Sequence, residues 1–221
     1  MTHTLVVATH NHGKLSELRA LLAPLGLQVL SAQEVTKREI VVVEDGDTFE
    51  ANAKKKARTV AGITMMLTVA DDSGLEVDAL GGAPGVRSAR FAGEHATDAE
   101  NNAALLAALG ALDAHPAAGA GSVATGRYAA RFRCVLALAL PLASGGEPFV
   151  VEGTCEGEIT RTPRGSGGFG YDPLFLVGGT DKTMAELSEE EKNGVSHRAR
   201  AVEKLRVILE EVLAGRDRDS R

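Results

Sequence analysis

The chain has 221 residues, 44% of them hydrophobic, and a formal net charge of −6. This length can bury a sizeable core, so we expect one domain with two lobes over residues 1–214, followed by a frayed tail over 215–221. The acidic balance argues against general nucleic-acid binding, which normally needs a basic surface. Because no leader or membrane-spanning run is evident, we expect a cytoplasmic protein without a membrane partner.

Hydrophobic periodicity predicts strands and helices that alternate along the chain. In chain order these are a strand over 4–8, a helix over 13–24, a strand over 27–30, a short strand near 40–43, a helix over 49–61, a strand over 65–70, a helix over 98–109, strands over 129–140 and 147–161, and two closing helices. The last two strands form a plausible antiparallel hairpin around Ser144–Gly146. We therefore predict an α/β fold: a mixed, twisted central sheet flanked by helices, in two lobes with the active-site cleft between them.

The first strand leads through a polar turn into the first helix. A helix N-terminus offers unpaired N–H groups and a positive dipole end, which together favour an anion. Thr9 and Asn11 can cap the helix or donate to phosphate oxygens, Gly13 lets the backbone approach, and Lys14 adds positive charge. The spacing of a Walker A loop is absent. The alternative is an ordinary capped helix with a surface lysine.

The helix over 49–61 carries polar residues at a conspicuous spacing. Asn52 and Lys56 are four apart and share one face, although asparagine is a poor residue inside a helix. We interpret this as a hint of a polar task. The run Lys54–Lys56 is otherwise typical of a solvated face.

Two adjacent carboxylates, Asp71 and Asp72, follow the apolar run that ends at Ala70. We predict a strand that ends here at a turn, at the sheet edge where α/β proteins place ligands. Adjacent carboxylates repel each other, and a divalent cation such as Mg²⁺ would compensate. Because strand side chains alternate faces, only one of the two is expected to point fully at the ion. A solvated turn is the alternative.

The segment from Arg164 to Phe175 is rich in glycine and formally contains G-x-G-x-x-G. We reject a dinucleotide fingerprint, because that motif must open a helix and Asp172-Pro173 prevents one. A loop with the rings of Phe169 and Tyr171 is suited to stacking on a planar base. Alternatively, the rings simply fill the core.

The long C-terminal helix begins with an unfavourable arrangement of charge. Ser196 is expected to be its N-cap, which places His197 and Arg198 in the first turn. Positive residues there oppose the helix dipole, at a cost of roughly 0.3–1 kcal/mol each unless an anion or a base offsets it. Such a violation of a local rule is typical of a functional site.

Taken together, six segments resemble the inosine triphosphate pyrophosphatase family. They are Thr9-x-Asn11-x-Gly13-Lys14, Thr48-Phe49 with Asn52-Ala53 and Lys56-Ala57, Ala70-Asp71-Asp72-Ser73-Gly74-Leu75, Gly81-Gly82-Ala83-Pro84-Gly85 with Ser88-Ala89-Arg90, Gly168-Phe169-Gly170-Tyr171-Asp172-Pro173, and Ser196-His197-Arg198. The resemblance implies Mg²⁺-dependent hydrolysis of non-standard purine nucleoside triphosphates (ITP, dITP and XTP) to the monophosphate and pyrophosphate, by a homodimer. A different base preference, or a silent nucleotide-binding module, remains the alternative.

The resemblance also implies a role for individual residues. Thr9, Asn11 and Lys14 would hold the triphosphate, with Ser73 near the phosphates. The catalytic residues would be Asp72, Asp71 and Lys56, with Glu44 and Asp72 as metal ligands. The residues that would frame the base are Phe169, Tyr171, Asp172, Lys192, Ser196, His197 and Arg198.

Selection of hypoxanthine over adenine depends on position 6 of the base. A donor aimed at O6 accepts a carbonyl and opposes an amino group, and Arg198 is the first candidate because it has no acceptor.

Tyr171 stands where some relatives have tryptophan. The Ala/Gly-rich stretch over 111–126 is expected to be a surface excursion, and Cys134 and Cys155 to be buried, reduced thiols.

Overall fold

In a computed structural model of the chain, residues 3–114, 127–141 and 146–219 are described, the last four by their backbone alone. Strands and α-helices alternate along these residues. In chain order they are β1 (Thr4–Ala8), α1 (His12–Leu22), β2 (Gln28–Ser31), α2 (Ala32–Thr36), α3 (Phe49–Thr64), β3 (Thr68–Val77), α4 (Asp98–Ala114), β4 (Tyr128–Ala139), β5 (Phe149–Ile159), β6 (Phe175–Val177), α5 (Glu189–Val195) and α6 (His197–Asp219).

The strands form one six-stranded sheet in the order β2-β1-β3-β4-β5-β6. β1 is parallel to both β2 and β3, whereas β5 and β6 are antiparallel. The predicted mixed α/β sheet is confirmed. The register pairs Ala8 of β1 with Ala70 of β3. Ala8 is the last residue of β1, so Thr9 follows the end of that strand, and Asp71 is the first residue of β3 beyond this pair.

The chain divides into two compact units. The first comprises Met1–Asp72, Cys134–Gly153 and His197–Arg221, and the second comprises Ser73–Arg133 and Thr154–Ser196. Each unit has its own core of buried aliphatic and aromatic side chains. The first core includes Leu5, Val7, Leu18, Val69, Leu136 and Leu205. The second includes Leu75, Leu105, Phe132, Ile159, Tyr171 and Phe175. The cleft predicted between two lobes stays a prediction.

The prediction that β3 ends at Ala70 is wrong. The strand continues to Val77, so Asp71 and Asp72 lie in its middle rather than at a turn. Asp and Gly are poor strand residues on propensity alone, but side-chain contacts override that preference here. A Cβ on Gly74 would come within 2.3 Å of Ser88 Oγ, and that hydroxyl accepts a hydrogen bond of 2.9 Å from the Leu75 amide. Close approach by Ser88 explains a glycine inside this strand.

Other boundaries also differ from the sequence prediction. Residues 40–43 belong to no strand, and the short helix α2, which begins with a Ser31–Glu34 capping box, was not predicted. α4 continues to Ala114, five residues beyond the predicted end, and the rest of the 111–126 stretch lies outside the described residues. α6 includes residues 215–219, which were assigned to a frayed tail. Part of the predicted hairpin turn, residues 142–145, also lies outside the described residues.

Both cysteines are buried free thiols, as predicted. Among the helices that the structure describes, none combines the length and apolar character needed to cross a membrane.

We predict that Gly153→Ala destabilises the first unit. A Cβ on Gly153 would lie 2.2 Å from the His197 carbonyl oxygen and 2.4 Å from the Ala201 amide nitrogen, because α6 packs directly on β5. The expected loss in the free energy of unfolding is about 1–3 kcal/mol, measured by urea denaturation. Gly110→Ala is the matched control: apart from its own helix backbone and chain neighbours, no described atom lies within 4 Å of an added Cβ. This change inside α4 should instead stabilise by about 0.5–1 kcal/mol. Equal effects of the two variants would contradict the prediction.

Candidate functional site

The predicted site residues are divided between the two units. Those in the first unit are Thr9, Asn11, Lys14, Glu44, Lys56, Asp71, Asp72, His197 and Arg198. Those in the second are Ser73, Phe169, Tyr171, Asp172, Lys192 and Ser196.

Asp71 is enclosed by donors and has 1% of its surface exposed. Lys14 Nζ lies 2.6 Å from Oδ1, and Arg198 Nε donates to Oδ2 at 2.9 Å. The Cys134 thiol also donates to Oδ2, at 3.1 Å. Two cations and a thiol therefore bind both oxygens of this carboxylate.

Asp72 points to the other face of the strand and finds different partners, as the alternation of strand side chains requires. Lys56 Nζ donates to Asp72 Oδ1 at 3.0 Å and to Glu44 Oε2 at 2.9 Å. Asp72 Oδ2 is buried and has no hydrogen-bond partner among the described residues. The second aspartate is therefore only half satisfied.

Glu44 lies on the loop before α3, and Asn52 holds that loop. The Asn52 side chain accepts from the Gly46 amide at 2.8 Å and donates to the Gly46 carbonyl at 3.3 Å. With 1% of its surface exposed, Asn52 performs the polar task that its position beside Lys56 suggested. It positions the loop that brings Glu44 to Lys56.

The N-terminus of α1 has the geometry predicted from the sequence. Asn11 is the N-cap, and its side chain accepts from the Lys14 amide at 2.9 Å. The Thr9 hydroxyl accepts from the Asn11 amide at 3.2 Å. The cap thereby places the Lys14 side chain on Asp71.

The two aspartates have opposite pKa shifts. Burial would raise the pKa of Asp71, but Arg198 and Lys14 hold it well below its usual value. Burial raises the pKa of Asp72 to about 6; Lys56 and Lys14 oppose this shift, whereas Glu44 adds to it. Neighbouring carboxylates with separated pKa values are typical of catalytic acid–base sites.

The cluster suits a divalent cation. Its ion pairs join four carboxylates (Glu17, Glu44, Asp71 and Asp72) to three cations (Lys14, Lys56 and Arg198), which leaves one net negative charge. Besides burial, Glu44 raises the pKa of Asp72 through both a side-chain interaction and charge repulsion, so these two carboxylates lie close together. Within the described residues, no group of three or more His, Cys, Asp or Glu side chains could hold a metal. Two carboxylates completed by water and phosphate oxygens match the preference of Mg²⁺.

In the second unit, Asp172 organises the glycine-rich loop. Its Oδ2 accepts from Lys192 Nζ at 2.7 Å and from the Phe169 amide at 3.1 Å. Lys192 Nζ also lies 5.1 Å from the centre of the Phe169 ring. One buried ion pair therefore fixes both the loop backbone and the half-buried phenyl ring.

Tyr171 does not match the expected stacking position. Its ring is 4% exposed and belongs to the core of the second unit. Its hydroxyl donates to the Ser88 carbonyl at 2.9 Å. The alternative considered from the sequence, a ring that fills the core, describes Tyr171, because its hydroxyl finds a backbone partner there.

The opening of α6 explains its unfavourable charge. The helix begins at His197, directly after Ser196, as predicted. Arg198 is 1% exposed and also donates from Nη1 to Glu17. Asp71 and Glu17 are thus the anions that offset a cation in the first turn. A donor role of Arg198 toward a base stays a prediction.

Four contributing residues were not predicted. Glu17, one helical turn after Lys14, could have been found from that spacing. Cys134 lies in an apolar strand and gives no sequence signal. Asp98 Oδ2 accepts from the Gly170 amide at 2.7 Å, and Asn102 donates to the Gly170 carbonyl at 2.8 Å. These two residues of α4 hold the aromatic loop from a distant part of the sequence.

Fold and cluster define an α/β protein with a buried site of carboxylates and lysines. The model of the Ham1 family matches residues 5–208, and the chain belongs to this family. Proteins named dITP/XTP pyrophosphatase are 51% identical in Desulforamulus reducens (93% of this chain, 94% of the relative) and 46% identical in Bacillus subtilis (93% and 96%). The HAM1 protein of Coxiella burnetii superposes with a TM-score of 0.79 at 41% identity (95% and 100% of the two chains). The resemblance inferred from the motifs is confirmed.

We predict opposite stability effects for the two aspartates. In EDTA at pH 7, Asp72→Asn should raise the free energy of unfolding by up to about 3 kcal/mol, since it removes a charge that burial disfavours. Asp71→Asn should lower it by about 3–5 kcal/mol, because Lys14 and Arg198 lose their buried partner. Urea denaturation measures both, and destabilisation by both variants would contradict the assignment.

The stabilisation by Asp72→Asn should depend on pH. The folded-state pKa of Asp72, about 6, exceeds the unfolded value of 3.8, so the folded protein binds the extra proton between these values. The contribution of Asp72 to stability therefore falls as pH rises from 3.8 to about 6. The difference between variant and wild type should be near zero at the lower pH and complete above the upper one. A constant difference across this range would show that charge is not its cause.

Proposed function

We propose that the chain hydrolyses the non-standard purine nucleoside triphosphates ITP, dITP and XTP to the monophosphate and pyrophosphate, with Mg²⁺. Membership of the Ham1 family carries the proposal, because the relatives from Desulforamulus reducens and Bacillus subtilis, at 51% and 46% identity, are named dITP/XTP pyrophosphatase. The half-satisfied Asp72 supports it from the chemistry of the chain itself. We further propose a cytoplasmic homodimer.

The triphosphate is assigned to the N-terminus of α1 and its surroundings. Thr9 and Asn11 precede this helix, and its unpaired amides favour an anion. Lys14 and Lys56 each form an ion pair with an aspartate. Each ammonium group can therefore bind a phosphate oxygen in place of that carboxylate or together with it. Ser73 follows Asp72 in β3 and is proposed to donate to the same phosphates.

Asp72 is the proposed general base. A pKa of about 6 leaves its carboxylate mostly ionised at neutral pH, yet close enough to accept a proton from water. Asp71 is too weak a base for this role, because Arg198 and Lys14 hold its pKa well below its usual value, so we assign it to positioning Lys14. Water oriented by Asp72 attacks the α-phosphorus in line, and pyrophosphate leaves. Mg²⁺ bound by Glu44 and Asp72 would neutralise charge on the phosphate oxygens.

The base is assigned to the aromatic loop and the start of α6. Phe169 offers the stacking ring, since Tyr171 is buried in the core. Asp172 and Lys192 hold that ring and its backbone. The candidate donors toward position 6 are Ser196, His197 and Arg198.

The deciding experiment measures pyrophosphate release from equal concentrations of ITP, dITP, XTP, GTP and ATP with Mg²⁺. Fast release from the first three alone supports the proposal. Release from all five keeps the phosphate chemistry and overturns the base assignment. Absence of release, with nucleotide still bound, would establish a silent nucleotide-binding module instead.

We predict that Asp72→Asn lowers kcat for ITP by about 10²–10⁴-fold, because the proton acceptor is lost, while nucleotide still binds. Asp45→Asn is the control, since Asp45 is a nearby exposed carboxylate that binds only Lys55 among the described partners, at 2.6 Å. Near-normal turnover by Asp72→Asn would remove it as the base.

Arg198→Ala tests whether Arg198 is the donor that recognises position 6 of the base. If Arg198 donates to O6, the ratio of kcat/KM for ITP to that for ATP should fall by at least about tenfold. Arg198→Lys keeps the charge but loses the planar fork, so it should lower the ratio too. An equal fall in kcat/KM for both substrates would indicate that Arg198 acts only through its hydrogen bond to Asp71.

A further inference from the structure

The loop between α2 and α3 has the exposure pattern of a β-strand. From Glu39 to Asp47, odd-numbered residues are exposed and even-numbered ones are half-buried, without exception. Such strict alternation with a period of two is typical of extended backbone. On the exposed face, Val41 and Val43 are 74% and 65% exposed, the highest values among the large hydrophobic residues described as exposed.

This extended segment has no strand partner. No backbone hydrogen bond reaches Val41, Val42 or Val43 from the part of the chain that the structure describes. Both ends are nevertheless fixed: His10 Nε2 donates to the Ile40 carbonyl at 2.8 Å, and Gly46 is bound by Asn52. The segment is therefore a tethered strand with unpaired backbone groups, the kind of edge that pairs with another strand.

We propose that residues 39–45, here called the valine strand, pair antiparallel with the same strand of a second copy of this chain. The charges favour this occupant. Lys37 and Arg38 precede the valines, and Asp45 and Asp47 follow them, all exposed. An antiparallel arrangement about a two-fold axis places the basic end of one copy beside the acidic end of the other.

The alternation also selects the register. Opposite residues of an antiparallel pair point to the same face, so exposed valines must oppose exposed residues. A register centred on Val41 places it opposite its own copy and Glu39 opposite Val43, so no charged residue of the valine strand faces a like charge. The exposed Lys37 and Arg38 beyond the strand lie at the end nearest Asp45 of the other copy. Centring on Val42 would oppose Glu39 to Asp45, a repulsive pair. Asp45 already binds Lys55 at 2.6 Å, and this exposed carboxylate has room for a second cation.

The valine strand would thus be the interface of the homodimer proposed above. Its readout is assembly rather than hydrolysis, so its failure is distinguishable from failure of the proposed activity. The test begins with sedimentation velocity of the wild-type chain across micromolar concentrations. A dimer is expected, and a monomer throughout that range would overturn the proposal.

Cross-linking then locates the interface. Opposite residues in an antiparallel pair have Cβ atoms about 4.5–5.5 Å apart, close to the reach of a disulfide. Val41→Cys should therefore form a disulfide-linked dimer under mild oxidation. The native thiols Cys134 and Cys155 are buried and should not compete. Val207→Cys, at a 59% exposed position of α6, is the control and should stay uncrosslinked. Equal cross-linking of both variants would overturn the proposal.

Charge variants supply an independent test. Val41→Lys should raise the dimer dissociation constant about 100-fold or more, because residue 41 opposes its own copy and the change places two like charges opposite each other. Val207→Lys should leave the dissociation constant unchanged.

Lys37→Glu and Asp45→Lys should each weaken the dimer, and their combination should recover most of the loss because the ends are again complementary. An intact dimer in the Val41→Lys variant, or additive weakening in the Lys37→Glu with Asp45→Lys combination, would overturn the proposal.

Discussion

The buried carboxylate of Asp71 imposes the main constraint on the first unit. An ionised group without solvent is tolerable only when it is paired and hydrogen-bonded. Here Lys14 from the first turn of α1, Arg198 from the first turn of α6 and the Cys134 thiol of β4 satisfy it. Three elements distant in sequence must therefore converge on one strand position.

The neighbouring carboxylate shows the opposite balance. Asp72 shares a single lysine, Lys56, with Glu44, and its second oxygen has no hydrogen-bond partner among the residues that the structure describes. In a protein selected for stability alone, such a group would be neutral or absent. Retaining it costs folding free energy in the metal-free state, which is typical of groups kept for chemistry.

Sequence patterns predicted elements more reliably than their partners. The apolar runs located β1 and α3, and the alternation of strand faces correctly separated Asp71 from Asp72. The end of β3 was misplaced because local propensity cannot register a hydroxyl such as Ser88, which stabilises the strand from thirteen residues away. For the same reason the burial of Tyr171 could not be read from its position in a glycine-rich loop, because its hydrogen bond to the Ser88 carbonyl joins residues 83 positions apart; its stacking on a base stays a prediction. The strand predicted near 40–43 has the exposure pattern of extended chain, but it pairs with no strand in the described part of the chain, and only pairing defines a strand.

The partners of the two aspartates depend on which face of β3 each side chain occupies. Their side chains point to opposite faces because they are consecutive in a strand, and the cations on each face are held by other elements. Inserting one residue between Val69 and Asp71 would send each carboxylate toward the other's partners while leaving the composition of the site almost unchanged. Which carboxylate pairs with Lys14 and which with Lys56 therefore depends on the register of β3, which substitutions preserve and single insertions or deletions shift.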